Sequence, residues 1–355
     1  MPNASGYFRT SYERDFRLLD TRTQIASLVV FFAALVAFPF IASSFVLDLA
    51  NQFFLAAIGA VALMLLTGYA GQVSLGHAGL LAAGAFTVGI LVKEVNAPFW
   101  VTLPAAALVG AGLGIVFGLP SLRLRGLYLA VSTLALHFVV IHFGAEYETQ
   151  RGFSTGILIE PPTLGGIELS DPRAWYFVLA AAAAATVLLS LNLLRTRTGR
   201  AWRALRDHET VAEALGISVP AWKLAAFVTS STLTAVAGAL FAYYRGFVSV
   251  EAFSLFLSIQ YVAMVIIGGM GSILGALLGA AFVTLFPYLI ESGMALLPTP
   301  ERFASLVFAV NYAAFGLVMV LFLLYEPEGL VGIWRRVRDW FLLWPFRQRP
   351  LAGTK

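Results

Sequence analysis

Histidine and cysteine carry much of the acid–base, covalent and metal chemistry of proteins, and this 355-residue sequence has four of the first and none of the second. The lack of cysteine excludes a thiolate nucleophile, a disulfide and a cysteine-ligated metal. His137 and His142 stand five residues apart in LRLRGLYLAVSTLALHFVVIHFGA. At about 100° per residue they project about 140° apart on a helix, so a shared metal would need a third ligand that the sequence does not place. A neutral histidine satisfied by a neighbour fits both, although ionisable groups in apolar segments are candidates for function by default. Only Lys93, Lys223 and Lys355 are lysines, and none follows a glycine, whereas a phosphate-cradling loop needs Gly-Lys-Ser/Thr. There is no Gly-x-Ser-x-Gly, no His-Glu-x-x-His and no cluster of carboxylates in the apolar stretches. The residues present support no enzyme; a self-sufficient secondary carrier or channel stays as an alternative, although its usual relay groups are missing.

What positions these residues is a set of apolar helices. The chain is 59% hydrophobic and 12% charged, against about 25% charged in a soluble domain. Apolar runs of about 20 residues without alternation mean spanning helices rather than barrel strands. Ten segments are expected, at Gln24–Ser43, Leu47–Thr67, Gln72–Val92, Phe99–Leu119, Gly126–Ala145, Trp175–Leu194, Lys223–Tyr244, Phe253–Gly268, Ser272–Ile290 and Phe303–Leu324. The fold class is an all-α polytopic membrane protein with eight to ten spans. In the eight-span version, Gln72–Val92 or the glycine-rich 268–280 region is re-entrant. With both termini inside, 18 of the 23 basic residues fall on the cytoplasmic side, and so large a bias fixes the orientation as N-in, C-in. The net charge of +4 is thus sorted by membrane side and does not point to nucleic acid. Residues 1–23 are too long and polar for a signal-peptide start; they read as a cytoplasmic segment before a transmembrane domain at 24–325. The tail 326–355 is basic and aromatic, with Trp334, Trp340 and Trp344 placed for the headgroup level of membrane lipid.

Two glycine-rich patches stand out. Gly68–Gly89, GYAGQVSLGHAGLLAAGAFTVG, places Gly71, Gln72, Ser74, Gly76 and His77 together. Small residues allow close helix approach in lipid, while glycine weakens a helix interior by about 1 kcal/mol. The stretch therefore reads as a broken or tightly packed helix, and packing and lining of a pathway are compatible roles. The second patch, Gly268-Gly269-Met270-Gly271-Ser272 and onward to Gly279, echoes the first. Two glycine-interrupted segments in corresponding halves point to an internal pseudo-repeat with a pathway between the halves.

The longest charged interruption is Arg195–Trp222, RTRTGRAWRALRDHETVAEALGISVPAW, an expected cytoplasmic loop. Thr210 and Glu213 have the spacing of a capping box, Gly216 stands where a left-handed helix end belongs, and Pro220 blocks a restart. The enclosed helix of about six residues is far below the roughly 12–15 that stand alone, so packing against something must hold it. A capped turn in an ordinary loop and a helix that docks in a partner's groove both satisfy this pattern. The external loop, residues 146–174, carries five acids against two arginines, and its Gly and Pro content argues for irregular structure.

At this point the sequence resembles a family. Gly68-Tyr-Ala-Gly-Gln-Val-Ser-Leu-Gly-His-Ala-Gly79, Leu122-Arg-Leu-Arg-Gly-Leu-Tyr128, the run from Gly199 to Ile217, Gly246-Phe-Val-Ser249 and Met264-Val-Ile-Ile-Gly-Gly-Met-Gly-Ser272 together resemble the permeases of branched-chain amino-acid ABC importers, LivM type. The resemblance covers about residues 50–330. It implies a second, LivH-like permease and two cytoplasmic ATP-binding subunits that hold ATP and Mg, with no cofactor on this chain. It also implies a periplasmic binding protein and a bacterial inner-membrane location. Urea and short-amide importers share much of the pattern. The resemblance further implies that Glu213, Ala214, Leu215, Gly216 and Ile217 lie in a coupling helix seated in the ATPase, with Arg203 and Arg206 facing its acidic rim or the lipid headgroups. The loop Gln150-Arg-Gly-Phe-Ser-Thr-Gly156 departs from the glycine-rich pattern of the family.

Overall fold

The computed structural model describes residues 22–124, 126–153, 156–164, 167–295 and 304–343. Most of the expected N-terminal segment, together with Arg125 and Trp344, lies outside these residues. The chain forms two units, residues 1–47 and 48–355. The first contains α1 (Arg22–Ile41) and the opening turn of α2 (Ser44–Leu63).

In the second unit, α2 runs on through a π-helical turn, Met64–Tyr69, and is followed by α3 (His77–Val95), α4 (Phe99–Ser121) and α5 (Leu127–Arg151). After α6 (Pro172–Arg195) come two short helices, α7 (Arg197–Asp207) and α8 (Glu209–Ala214), and then the long α9 (Val219–Arg245). The rest is α10 (Leu255–Gly268), α11 (Ile273–Ala295), α12 (Ala304–Tyr325) and α13 (Gly329–Leu343). Each of the ten apolar segments carries a helix. Seven helices among the described residues are long and apolar enough to cross a bilayer, or eight with Tyr312–Tyr325 and Gly329–Phe341, bent by 54°, counted as one span. The chain is an all-α polytopic membrane protein.

Helix α10 has 14 residues and reaches about 21 Å, short of the roughly 30 Å hydrocarbon core. The third apolar segment also differs from expectation: its helix begins at His77, not at Gln72. Gly71 takes φ +71°, and Ala70 N–H donates back to Leu65 O at 3.2 Å across the π turn. The backbone therefore leaves the helix before Gln72 and runs non-helically to Gly76.

Helix α9 is the centre of the packing, and its own sequence explains why. It exposes Ala226, Ser230, Ser231, Thr234, Ala235 and Gly238 to its neighbours, all of them buried. A side chain at Gly84 of α3 would run into the Ala235 carbonyl, and one at Gly238 into the Leu81 carbonyl. Gly110 and Gly114 of α4 likewise face Ser231. Lipid gives no hydrophobic force between helices, so this close approach of small-residue faces supplies the contact instead. The hydroxyls turn back to carbonyls, Ser230 to Ala62 at 2.8 Å and Thr234 to Ser230 at 2.8 Å.

The segment expected to be an irregular external loop is partly ordered. Helix α5 extends to Arg151, and β1 (Ile157–Leu158) pairs antiparallel with β4 (Phe247–Val248). A second pairing joins β2 (Thr163–Leu164) to β3 (Ile167–Glu168), and Asp171 caps α6 by accepting Arg173 N–H at 3.0 Å. Strand pairing outcompetes the turn-forming residues because the segment has a partner, the turn after α9, that is distant in sequence. Helix α13 leaves Trp334 and Trp340 exposed.

Candidate coupling site

Helix α7 is strongly amphipathic. Gly199, Ala201, Trp202 and Leu205 form its buried face, and the Trp202 indole N–H donates to the Trp222 carbonyl at 3.0 Å. That bond ties the start of the charged stretch to its end. Arg203 and Arg206 lie on the exposed side of α7, and each also reaches a carbonyl of this chain. Arg203 Nη2 donates to Leu194 O at 2.6 Å, at the C-terminus of α6, and Arg206 Nη1 donates to Gly68 O at 2.8 Å. Unpaired carbonyls at a helix end or π turn attract a guanidinium, so both side chains fold onto this chain.

Helix α8 has six residues. Gly216, at φ +81°, ends it in a Schellman motif: Ile217 N–H donates to Ala212 O at 3.0 Å and Gly216 N–H to Glu213 O at 2.9 Å. The N-terminal end departs from expectation. Helix α8 starts at Glu209 after an extended His208 with no side-chain cap, so Thr210 lies inside the first turn and the Thr210–Glu213 box does not form. Its start is set by the ion pair from Glu209 Oε1 to Lys223 Nζ, 2.5 Å long, with the lysine side chain only 5% exposed. Of α8, Ala212 is buried, while Val211 and Leu215 stand 54% and 75% exposed. Glu213, Ala214 and Gly216 share this outward surface. The result is a short apolar knob held rigidly from behind.

The glycine-rich residues lie directly behind it. Gln72 is buried and its Nε2 donates to the Lys223 carbonyl at 3.1 Å. Side chains satisfy the backbone on both sides of the start of α3: Leu75 N–H by Thr133 Oγ1 and Ala78 N–H, in the first turn, by Ser258 Oγ, each at 2.9 Å. Irregular backbone is tolerated within a membrane protein when it is buried in this way. Ser74 and His77 are buried, the His77 ring 4.7 Å from that of Tyr261, and Gly76 packs on the Thr133 carbonyl.

The two patches meet. A side chain at Gly68 would stand 2.8 Å from Gly271 N, and one at Gly271 would stand 2.7 Å from Arg206 Nη1. Gly71 lies against Arg206 too, while Gly268 abuts the Gly275 carbonyl. Gly269, at φ +110°, faces Glu328 O, and Ser272 Oγ accepts Gly275 N–H at 3.3 Å as α11 begins. Arg206 thus sits where both helix breaks converge. The Glu209–Lys223 pair was not among the residues singled out in the sequence. Its only trace there was a rare lysine opening an apolar segment.

A family model described as branched-chain amino acid transport system / permease component matches residues 45–323. The chain belongs to that family. Among its relatives are the high-affinity branched-chain amino acid transport system permease proteins LivM of Salmonella typhimurium and Escherichia coli. Each is 33% identical over 340 residues, 89% of this chain and 77% of the relative. The autoinducer 2 import system permease protein LsrC of Yersinia enterocolitica is 28% identical over 312 residues, 85% of this chain and 79% of LsrC. No solved structure matches the chain. As a member of this permease family the chain is a multi-pass transport subunit and not an enzyme.

Proposed function

We propose that this permease forms one half of the translocation pathway of an ATP-driven importer for branched-chain or other hydrophobic amino acids. A LivH-like permease forms the other half, in a bacterial inner membrane. Two cytoplasmic subunits bind and hydrolyse ATP with Mg, and a binding protein delivers substrate from outside. The observation that carries the coupling role is the exposed Val211–Leu215 surface of α8, backed by Glu209–Lys223 and by α7, whose Arg206 reaches both glycine breaks. A push on this knob acts directly on the inner ends of α2, α3, α10 and α11. The substrate class rests on the LivM relatives.

The N-in, C-in orientation is supported by the basic residues gathered at Arg195–Lys223. It is also supported by the end of α10, which returns the chain to Gly68 and Arg206 despite its shortness. An internal repeat is supported by the shared form of α2–break–α3 and α10–break–α11. The test is reconstitution of the purified complex in liposomes. ATP-dependent leucine uptake that disappears when residues 208–217 are replaced by a flexible linker is expected; uptake by this chain alone, without ATP, would contradict the reading.

A further inference from the structure

At the end of α9 remote from α8, about 40 Å along that 27-residue helix, two cavities share a wall. The first, about 320 Å³, is bounded by Asp48 at the start of α2, by Leu169 and Ser170 of the segment before α6, and by Tyr243, Tyr244 and Arg245. The second, about 270 Å³, lies between α2, α9, α10 and α11. Arg245 lines both. Gln52 lines the second and joins it to the first, its Nε2 donating to Asp48 Oδ2 at 2.6 Å. The other Asp48 oxygen accepts the Tyr244 hydroxyl.

Asp48 and Arg245 border one cavity yet form no ion pair with each other among the described residues. The carboxylate is held in place by two neutral donors, and the guanidinium lies 5.8 Å over the Phe241 ring. Two opposite charges that line one cavity without pairing are complementary to a ligand that itself carries both signs. A guanidinium fork matches a carboxylate, and a carboxylate accepts an ammonium. The inner cavity adds apolar walls from Leu55, Leu257, Met264 and Val283, with Gln260 and Thr284 beside them. An ion moved there without partners would be strongly disfavoured, whereas an apolar side chain is welcome. The inner cavity ends at Tyr261, whose ring packs on His77 at the start of α3, so it abuts the broken segment that lies behind α8.

Resting on the importer reading above, we infer that these joined cavities are a transit site for the zwitterion of an α-amino acid with an apolar side chain. Arg245 takes the carboxylate, Asp48 takes the ammonium group, and the side chain enters between Leu55, Leu257, Met264 and Val283. The site belongs to this chain and adds a selection for free amino acids after delivery by the binding protein.

The test uses the assembled complex in liposomes with leucine as the probe, reading leucine moved per ATP hydrolysed. Arg245→Gln, which removes the charge, and Asp48→Asn, which is nearly isosteric, are expected to lower that ratio about tenfold or more, the cost of losing a charge-assisted contact. Val283→Trp, which fills the inner cavity, is expected to lower it comparably. Unchanged ratios in Arg245→Gln and Asp48→Asn would overturn the proposal. If either variant does not assemble with its partners, Val283→Trp is read in its place; a wild-type ratio there would overturn the proposal, and a drop would support it. A wild-type complex that hydrolyses ATP but moves no amino acid would instead remove the importer reading on which the site depends.

Discussion

Arg206 and Gly68 are joined by a 2.8 Å bond from the guanidinium Nη1 to the π-turn carbonyl, and that same nitrogen fills the space a Gly271 side chain would need. One cation therefore locks both helix breaks to the charged stretch. Replacing Arg206 with Ala is expected to lower stability by about 1–2 kcal/mol, since the side chain is partly solvated and a bond to a charged donor is worth roughly 1.5–3 kcal/mol when shielded. The larger effect should be on coupling, with more ATP hydrolysed per amino acid moved. Gly271→Ala should reproduce the uncoupling, because its Cβ displaces the guanidinium and its φ of +84° disfavours any other residue. Equal ATP-to-substrate ratios in wild type and both variants would count against the lock.

Gly216 isolates a purely conformational demand. No atom lies within 4 Å of where its side chain would begin, so Gly216→Val meets no clash but must adopt the left-handed conformation at a cost of about 1–2 kcal/mol. Membrane insertion should be normal and association with the ATPase subunits weakened by about tenfold. Gly216→Asn should retain most of the association, since asparagine tolerates this conformation. Quantitative co-purification measures both, and indistinguishable binding by the valine variant would remove the cap from the account.

The Glu209–Lys223 pair should behave as a buried pair with one partly solvated end. Lys223→Met alone removes the carboxylate's lysine partner and is expected to cost about 3 kcal/mol, whereas the double change with Glu209→Leu should recover at least half of it. Thermal unfolding of the detergent-solubilised protein reports the cycle, and additive losses would mean that the two residues do not interact.

The helix crossing at the centre makes a contrasting pair. Gly238→Val drives a side chain into the Leu81 carbonyl and should cost more than about 3 kcal/mol, seen as loss of folded protein in the membrane. Gly112, also in a helix but with open space around it, should accept alanine with a gain of about 0.5–1 kcal/mol. Comparable yields for the two variants would argue against α3–α9 packing as the core.

Much of this architecture is visible in the sequence because membrane helices and glycines are read locally. The apolar runs predict each of the ten helices, and Gly216 marks its helix end because one residue's φ decides it. The start of α8 is not visible in this way: Thr210 and Glu213 have the right spacing, but a lysine fourteen residues on holds Glu209 and moves the helix start. The same holds for Arg203 and Arg206, whose partners, Leu194 and Gly68, are carbonyls brought near only by the fold. The pairing of β1 with β4 spans about ninety residues of chain, so turn composition between α5 and α6 carries no trace of it.

The central claim is that α8 is the surface through which a separate ATPase acts on this permease. The chain has no cysteine, so Leu215→Cys, at a position 75% exposed, gives a single reactive thiol on an otherwise silent background. Crosslinking from that thiol in native membranes should capture an ATP-binding subunit, in an amount that changes when ATP is added. A crosslink confined to lipid, or one to an ATP-binding subunit formed equally well from a thiol at exposed Leu158 on the opposite end, would contradict the account.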